Sequence, residues 1–393
     1  MHTMITYNQA FGLMMKAAVT LGSERVCLEA AAGRVLAENI HSDMDMPPFN
    51  KSAMDGYACR REDLHNPLTV IEEIPAGKNP AKPVGANQCS KIMTGAPLPE
   101  GADCVVMVEY TEEDAGIVRF TGKETSDNYC RKGEDIRDGD LVLKQGELIT
   151  PAHIAVLATV GCTEPLVARR PRIGVMATGS ELVEPSSPVS GAKIRNSNSY
   201  QLCAQAKAMN LTVNYYGIVE DRTEAIDAAV KRAKAENDLV LLSGGVSMGD
   251  YDLVPEILQN NGFTFIFDSV AMQPGRPTVF GSDGHVYCCG LPGNPVSTFV
   301  IFEILLKPFL YGLMGYDYAP TPIKAKLSEA IRRRKTARQS TVPVIFSEPG
   351  IVTPIDYHGS AHINAMTKAH GLLTIPIGTS ELKQGEEVHV RPL

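Results

Sequence analysis

Apolar and polar positions change rhythm several times along the chain. Residues 7–21 space their apolar side chains at helical intervals and predict an amphipathic helix. Residues 28–37 are alanine-rich and predict a second helix, with Gly33 inside it. From Ser42 to about Asp138 the helical period disappears, and proline, glycine and short β-rich runs such as Cys104-Val-Val-Met-Val-Glu109 take over. Residues 151–160 are helical again. The pattern predicts a discontinuous helical domain, residues 1–41 and 139–168, interrupted by a β-rich insertion at residues 42–138.

Beyond Arg169-Arg170-Pro171-Arg172, strands and helices alternate. Residues 173–177, 213–218 and 239–242 read as strands, the last wholly apolar as a buried parallel strand is. Helices are expected after a cap at Asn196 to about Met209, at 223–236 and at 252–260. Residues 263–267, 279–281 and 286–289 read as further strands, and a long apolar helix starts near Pro295. The alternation predicts a doubly wound α/β domain at 169–318, with its ligand crevice at the carboxyl ends of the strands. After Ala319-Pro-Thr-Pro322, residues 319–393 hold short strands and turns and predict a small β-barrel-like domain. The fold class is multi-domain α/β.

Composition narrows the setting. At 393 residues, two to four domains are expected. A net charge of -8 argues against general nucleic-acid binding. The nine cysteines are odd in number and contain no CxxC pair, which points away from a disulfide framework or zinc knuckle and toward the reducing cytoplasm. Residues 1–15 lack the basic-then-apolar order of a secretory leader. The longest apolar stretch, residues 296–314, contains Glu303, Lys307 and Pro308, so a buried helix is expected there rather than a membrane span.

The strongest local signal for chemistry is Ser243-Gly244-Gly245-Val246-Ser247, where a buried strand runs into two glycines and two serines before a helix. Such a turn can present successive amides and a helix N-terminus to a phosphate. It can equally be a tight strand-to-helix turn. Glu181, Asp221 and Asp252 follow three strands of one sheet and should open at one edge. Carboxylates beside a phosphate repel it unless a cation bridges them, so Mg²⁺ is inferred; each acid alone also reads as a helix cap or solvated turn.

Met272-Gln-Pro-Gly-Arg276-Pro and Gly290-Leu-Pro292-Gly-Asn-Pro295-Val-Ser297 are rigid glycine–proline turns that suit a binding wall, and Arg276 could hold an anion in a fork. Their plainer reading is structural, since proline ends strands and Asn294 before Pro295 can cap a helix. In the insertion, Asp55 in Ser52-Ala-Met-Asp55-Gly-Tyr-Ala58, Thr94 in Lys91-Ile-Met-Thr94-Gly and Asp135 in Arg131-Lys-Gly-Glu134-Asp135 lie in polar loops. The two aspartates also suit turn formation. Gly359-Ser360-Ala-His362 is a loop bearing a hydroxyl and an imidazole, and Arg332-Arg-Arg-Lys335 reads as a solvated basic loop ahead of Arg338.

Taken in order, SAMDGYA from Ser52, KIMTGAPLPEGAD from Lys91, RKGEDI from Arg131, ATGSEL from Ala177, IVEDR from Ile218, LLSGGVSMGDYD from Leu241, QPGRP from Gln273, GLPGNPVS from Gly290 and GSAH from Gly359 resemble the molybdopterin molybdenumtransferase family, MoeA and the E domain of gephyrin. The resemblance implies an L-shaped four-domain homodimer with a MoaB/MogA-like α/β domain. It implies that molybdate is ligated to adenylylated molybdopterin and the adenylate bond is cleaved with a divalent cation, releasing AMP. Ser243 to Ser247 would lie at the pyrophosphate, and Glu181, Asp221 and Asp252 would hold Mg²⁺. Asp55, Thr94 and Asp135 look like the family's active-site residues in the insertion, reaching the partner's cleft in the dimer. Arg276, Ser297, Arg338 and Ser360 match positions around the oxyanion, with Pro292 and Pro295 beside them. A pterin adenylyltransferase would be a further partner. The chain departs from the family's lysine–proline–glycine–lysine at Gln273-Pro-Gly-Arg276, and the match around Arg338 is weak. The alternatives are a non-catalytic binder of the same pterin or of a protein partner, and another enzyme built on the same α/β domain, a pterin adenylyltransferase or a CinA-type nucleotide-cleaving protein.

Overall fold

A computed structural model describes residues 4–245, 253–356 and 359–393. The chain forms two compact units, one of Val26–Ala32 and Glu38–Pro165, the other of Met1–Arg25, Gly33–Ala37 and Leu166–Leu393.

The first unit is built on a six-stranded sheet: β1 (Gly56–Cys59), β2 (Leu68–Ile74), β3 (Gln88–Ile92), β4 (Cys104–Met107), β5 (Thr111–Asp114) and β6 (Ile117–Phe120), in the order β4-β1-β3-β2-β6-β5. Alternate residues of its central strands feed opposite faces. Tyr57, Cys59, Cys89, Cys104 and Val106 pack in one core, and Ala58, Ile92 and Val105 in another. Gly56 has no room for a side chain, since a Cβ there would lie 1.9 Å from the Val106 carbonyl oxygen. The close strand approach explains the glycine after Asp55. The helix Pro151–Thr159 begins at a Thr150 cap that accepts from the His153 amide.

The expected helix at residues 28–37 is not formed. A single 3-10 turn spans Leu28–Ala30, Gly33 takes φ +71°, and Leu36 bridges to Val167. Gly33 leaves the helical region, and Val35 and Leu36 are buried by pairing rather than on a helix face.

In the second unit, β7 (Arg172–Thr178), β8 (Thr212–Val219), β9 (Leu239–Ser243), β10 (Thr264–Phe267), β11 (Val279–Ser282) and β12 (Tyr287–Leu291) form a sheet in the order β8-β7-β9-β12-β11-β10. The first four are parallel, and β11 and β10 extend the sheet antiparallel. The chain order reverses between β7 and β9, so their carboxyl ends open the crevice where such sheets bind ligands. Val240, Leu242 and Met176 pack against Ile226, Val230, Ile257 and Leu258 of the covering helices Thr223–Glu236 and Val254–Asn260. The helix after β7 spans Asn198–Ala208, and the side-chain oxygen of Asn196 accepts from the Ser199 amide at 3.2 Å, the capping bond expected of Asn196. The segment Pro295–Gly312 has the length and composition of a membrane span, yet 72% of it is buried inside the protein. It is a core helix.

The last strands close on themselves. β13 (Ile323–Leu327), β14 (Gln339–Glu348), β15 (Ile351–Pro354), β16 (Gly371–Ile375) and β17 (Glu387–Pro392) run β14-β15-β13-β17-β16, and β16 pairs back to β14. Val344, Val352, Leu373 and Val390 fill this five-stranded barrel. Met272 and Gln273 pair in parallel with Gln339 and Ser340 at the start of β14, which ties the glycine–proline turn of the α/β sheet to the barrel.

Candidate active site

Three turns meet around a cavity of about 310 Å³ lined by Gln273 to Pro277, Pro292, Asn294, Ser297, Arg338, Gly359 and Ser360. Local structure explains how each arrives. The Arg276 carbonyl accepts from the amides of Val270 and Thr278, both at 3.0 Å, which fixes the backbone that carries the guanidinium. Gly275 has φ +109°, and a Cβ there would come within 2.9 Å of Ile301, so only glycine lets this turn lie against the long helix. Ser297 is buried in the first turn of that helix. The Val296 amide donates to the Ser360 carbonyl at 3.0 Å and docks the Gly359–Ser360 loop there. Arg338 enters from the turn before β14, whose next residue, Gln339, donates its amide to the Ala271 carbonyl at 2.9 Å.

The electrostatics of this cavity are one-sided. Among the described residues lining it, none is acidic. Neither Arg276 nor Arg338 has a side-chain hydrogen bond or ion pair within the described residues. The N-terminus of the helix from Pro295 adds a partial positive charge. Two guanidiniums without side-chain partners among the described residues, two serines and a helix N-terminus are the kinds of donor that suit an oxyanion. Arg276, Pro292, Ser297, Arg338 and Ser360 thus come together as sequence reading grouped them; Pro295 sits beside the cavity without lining it.

At the β7–β9 crevice the picture differs. Gly244 and Gly245 have φ +95° and +64°. A Cβ at 244 would lie 2.3 Å from the Thr178 carbonyl oxygen, and the Gly244 amide donates to the Leu291 carbonyl at 3.0 Å. These glycines have a packing reason that needs no ligand, and one expected phosphate-binding amide is already used. Val246, Ser247 and Asp252 lie outside the described residues. Ser243 is buried, and its hydroxyl oxygen accepts from the Asn198 amide group at 2.8 Å.

Sequence reading missed Asn198. Its amide nitrogen also donates to the Gly293 carbonyl at 2.8 Å, so one side chain joins the turn after β9 to the turn after β12. The Asn198 carbonyl oxygen and the Thr178 hydroxyl are both buried without a partner among the described residues. The only signal was a polar run, Asn196-Ser-Asn198-Ser, at a strand-to-helix junction.

Two of the three expected metal ligands are described. The Asp221 carboxylate accepts from the Ser180 amide at 2.8 Å, and the adjacent Glu181 carboxylate folds back over Gly179, 2.7 Å from where a Cβ would be. Both acids are exposed on one loop edge. No group of three metal-ligating side chains occurs among the described residues. Two carboxylates nevertheless suit Mg²⁺, which takes one or two from protein and completes its shell with phosphate oxygens and water.

In the other unit Asp55 and Thr94 meet directly. The Asp55 carboxylate accepts from the Thr94 amide at 2.6 Å and its hydroxyl at 2.8 Å. These bonds, the amide's first, hold the Asp55 carboxyl below its ordinary value. Asp135 is exposed and donates its amide to the Met46 carbonyl at 3.0 Å.

Comparison with known proteins covers the whole chain. The MoeA N-terminal region (domain I and II) matches residues 5–161, a probable molybdopterin binding domain matches 174–312, and the MoeA C-terminal region (domain IV) matches 324–393. The molybdopterin molybdenumtransferase of Staphylococcus epidermidis is 37% identical over 99% of this chain and 95% of its own length. The chain belongs to the molybdopterin molybdenumtransferase family. The Bacillus subtilis molybdopterin molybdenumtransferase is 35% identical over 94% of the chain and 89% of its own length. A crystal structure of the molybdopterin biosynthesis MoeA protein from Pyrococcus horikoshii superposes with a TM-score of 0.86 at 30% identity over the full length of both chains. The protein is a transferase of molybdenum cofactor biosynthesis, and its mixed α/β architecture with a C-terminal barrel is that of the family.

Proposed function

We propose that this transferase ligates molybdate to the dithiolate of adenylylated molybdopterin and cleaves the adenylate bond with Mg²⁺, releasing AMP. The observation that carries the proposal is the cavity with unpaired Arg276 and Arg338. Molybdate is a tetrahedral dianion of four acceptor oxygens, and forked guanidinium donors with the Ser297 and Ser360 hydroxyls match it in charge and donor type. The Gln273 side chain is neutral, so the positive charge of this wall rests on the two arginines.

Glu181 and Asp221 are the described carboxylates that would hold Mg²⁺, with Asp252 as the third. When bound, the cation neutralises pyrophosphate charge and stabilises the departing AMP. Ser243, Gly244 and Gly245 would border the phosphate end of that ligand, together with Val246 and Ser247, which lie outside the described residues, and the buried acceptor of Asn198 suits an N–H donor of the ligand. Asp55, Thr94 and Asp135 are proposed as catalytic groups that act in the partner's crevice of a homodimer. The bonded carboxylate of Asp55 supports a role as hydrogen-bond acceptor.

The test is incubation of the purified protein with adenylylated molybdopterin, Mg²⁺ and molybdate, following AMP and metal incorporation. Molybdate-dependent AMP release is expected; AMP release indifferent to molybdate would sink the reading. Mixing an Asp55→Ala preparation with an Asp221→Ala preparation tests the dimer: each is expected to be inactive alone and the mixture partly active. No recovery after verified subunit exchange would remove the shared site.

A further inference from the structure

The basic run Arg332 to Lys335 reads from sequence as a solvated loop, but one member is only partly solvated. Arg333 is half-buried, and its guanidinium is turned onto backbone. One nitrogen donates to the carbonyls of Ile375, Pro376 and Thr379 at 3.4, 3.3 and 3.5 Å, and the other donates to the Arg338 carbonyl. The Arg333 amide also donates to the Ser380 carbonyl at 2.8 Å. The side chain therefore staples the end of β16 and the turn after it to the turn that carries Arg338. Burial lowers the Arg333 guanidinium from its ordinary value, and the nearby charge of Arg338 lowers it further. No carboxylate pairs with Arg333 among the described residues, whereas its neighbour Arg332 is paired with Glu381 at 2.9 Å.

Even a half-buried cation held only by carbonyls loses part of its hydration, and an acid is the usual compensation. An acid here would cancel positive charge beside a cavity whose other walls also lack acids. The guanidinium fork matters as much as the charge. Arg338 has no side-chain partner of its own among the described residues, so its placement depends on its backbone. That backbone is fixed on one side by the Gln339 amide on Ala271 and at residue 338 itself by Arg333.

We infer that Arg333 is a positioning residue for the oxyanion site, holding the Arg338 turn by a carbonyl-directed fork and leaving the cavity a net positive field. The inference rests on the reading of the Arg276–Arg338 cavity as the molybdate site. It is not a contact residue, since it does not line the cavity.

The experiment compares wild type, Arg338→Ala, Arg333→Lys and Arg333→Met in the full-length protein. It measures the molybdate concentration for half-maximal AMP release, the turnover at saturating molybdate, the affinity for adenylylated molybdopterin and thermal stability. Arg338→Ala is the control for the cavity: if it leaves half-saturation unchanged, the cavity reading itself fails. Given a loss there, Arg333→Met is expected to raise half-saturation about five- to twentyfold, with pterin affinity and saturated turnover within about twofold. These ranges correspond to losing roughly one charged hydrogen bond. Arg333→Lys keeps the charge and loses the fork, so a smaller rise of about two- to fourfold is expected, with stability close to wild type. Half-saturation at wild-type level in Arg333→Lys, with Arg338→Ala impaired, overturns the inference and leaves the cavity standing. An equal loss of pterin affinity and molybdate affinity in both Arg333 variants would show a general structural role and also overturn it. Should Arg333→Met not fold, Arg333→Lys alone decides between these outcomes.

Discussion

Two regions of the second unit exchange roles between sequence and structure. The Ser243-Gly244-Gly245 turn looks like a phosphate cradle in sequence, yet both glycines are demanded by packing against Thr178, and the Gly244 amide is spent on Leu291. The Gln273–Pro277 and Pro292–Ser297 turns look structural, yet they enclose a cavity with two unpaired guanidiniums. The difference teaches where to look for a ligand. Glycine marks close approach of any group, including the protein's own backbone. Arg276 is exposed and Arg338 half-buried, so water can satisfy each one alone; what singles them out is that both line one cavity with no acid among its described lining residues.

The sharpest way to break this comparison is Gly244→Ala. A left-handed φ and a Cβ 2.3 Å from the Thr178 carbonyl predict a loss of about 4 kcal/mol or more in the ligand-free protein, read as a large fall in Tm. Unchanged ligand-free stability would mean that the turn relaxes freely and that the glycine serves only a ligand. Arg338→Ala should do the reverse. It is expected to weaken molybdate use by about 10- to 100-fold, the scale of one charged hydrogen bond or more, while Tm stays within a few degrees.

Asp238 offers a purely structural ion pair for contrast with the unpaired arginines. It is buried beneath the sheet, accepts a two-point contact from Arg169 at 3.1 and 3.2 Å, and accepts from the Arg172 amide at 2.8 Å. Burial raises its carboxyl, but the Arg169 and Arg172 bonds outweigh this and hold it below the ordinary value. Its contribution is therefore present above the unfolded value of about 4 and is lost as pH falls through the lower folded value. Asp238→Asn is expected to cost about 2 kcal/mol at neutral pH, less than a fully buried pair because Arg169 is partly exposed. Denaturant titrations should show that gap narrowing only below about pH 4; a gap constant down to pH 2 would contradict the ion-pair account.

The smallest effect is expected at Thr178. Thr178→Val removes a buried hydroxyl that has no partner among the described residues, so ligand-free stability should hold or rise by about 1 kcal/mol. A concurrent loss of pterin affinity would assign the hydroxyl to the ligand. Equal affinity would return it to packing.

Much of the fold was legible because it is local. Residues 239–242 are wholly apolar between polar turns, and only a strand buried on both faces suits them. The helix ends were less legible. Residues 28–37 have helical composition, but pairing of Leu36 with Val167 decided their conformation. That partner is remote in sequence, and propensity differences are small beside burial. The site divides in the same way. Arg276, Ser297, Arg338 and Ser360 stood out by motif, and collinear motifs named the family. Arg333 and Asn198 did not, because their meaning lies in which carbonyls and hydroxyls surround them.

By itself, then, the sequence determined most strands and helices of the α/β sheet, the family and the candidate groups, all of which depend on residue type and near-neighbour spacing. Only the tertiary structure decided which charges are cancelled. Arg169 and Arg172 meet Asp238, Arg332 meets Glu381, and Arg276, Arg333 and Arg338 meet no acid among the described residues. Electrostatic energy depends on distance and burial, and the chain sets both only when it closes the barrel against the glycine–proline turns.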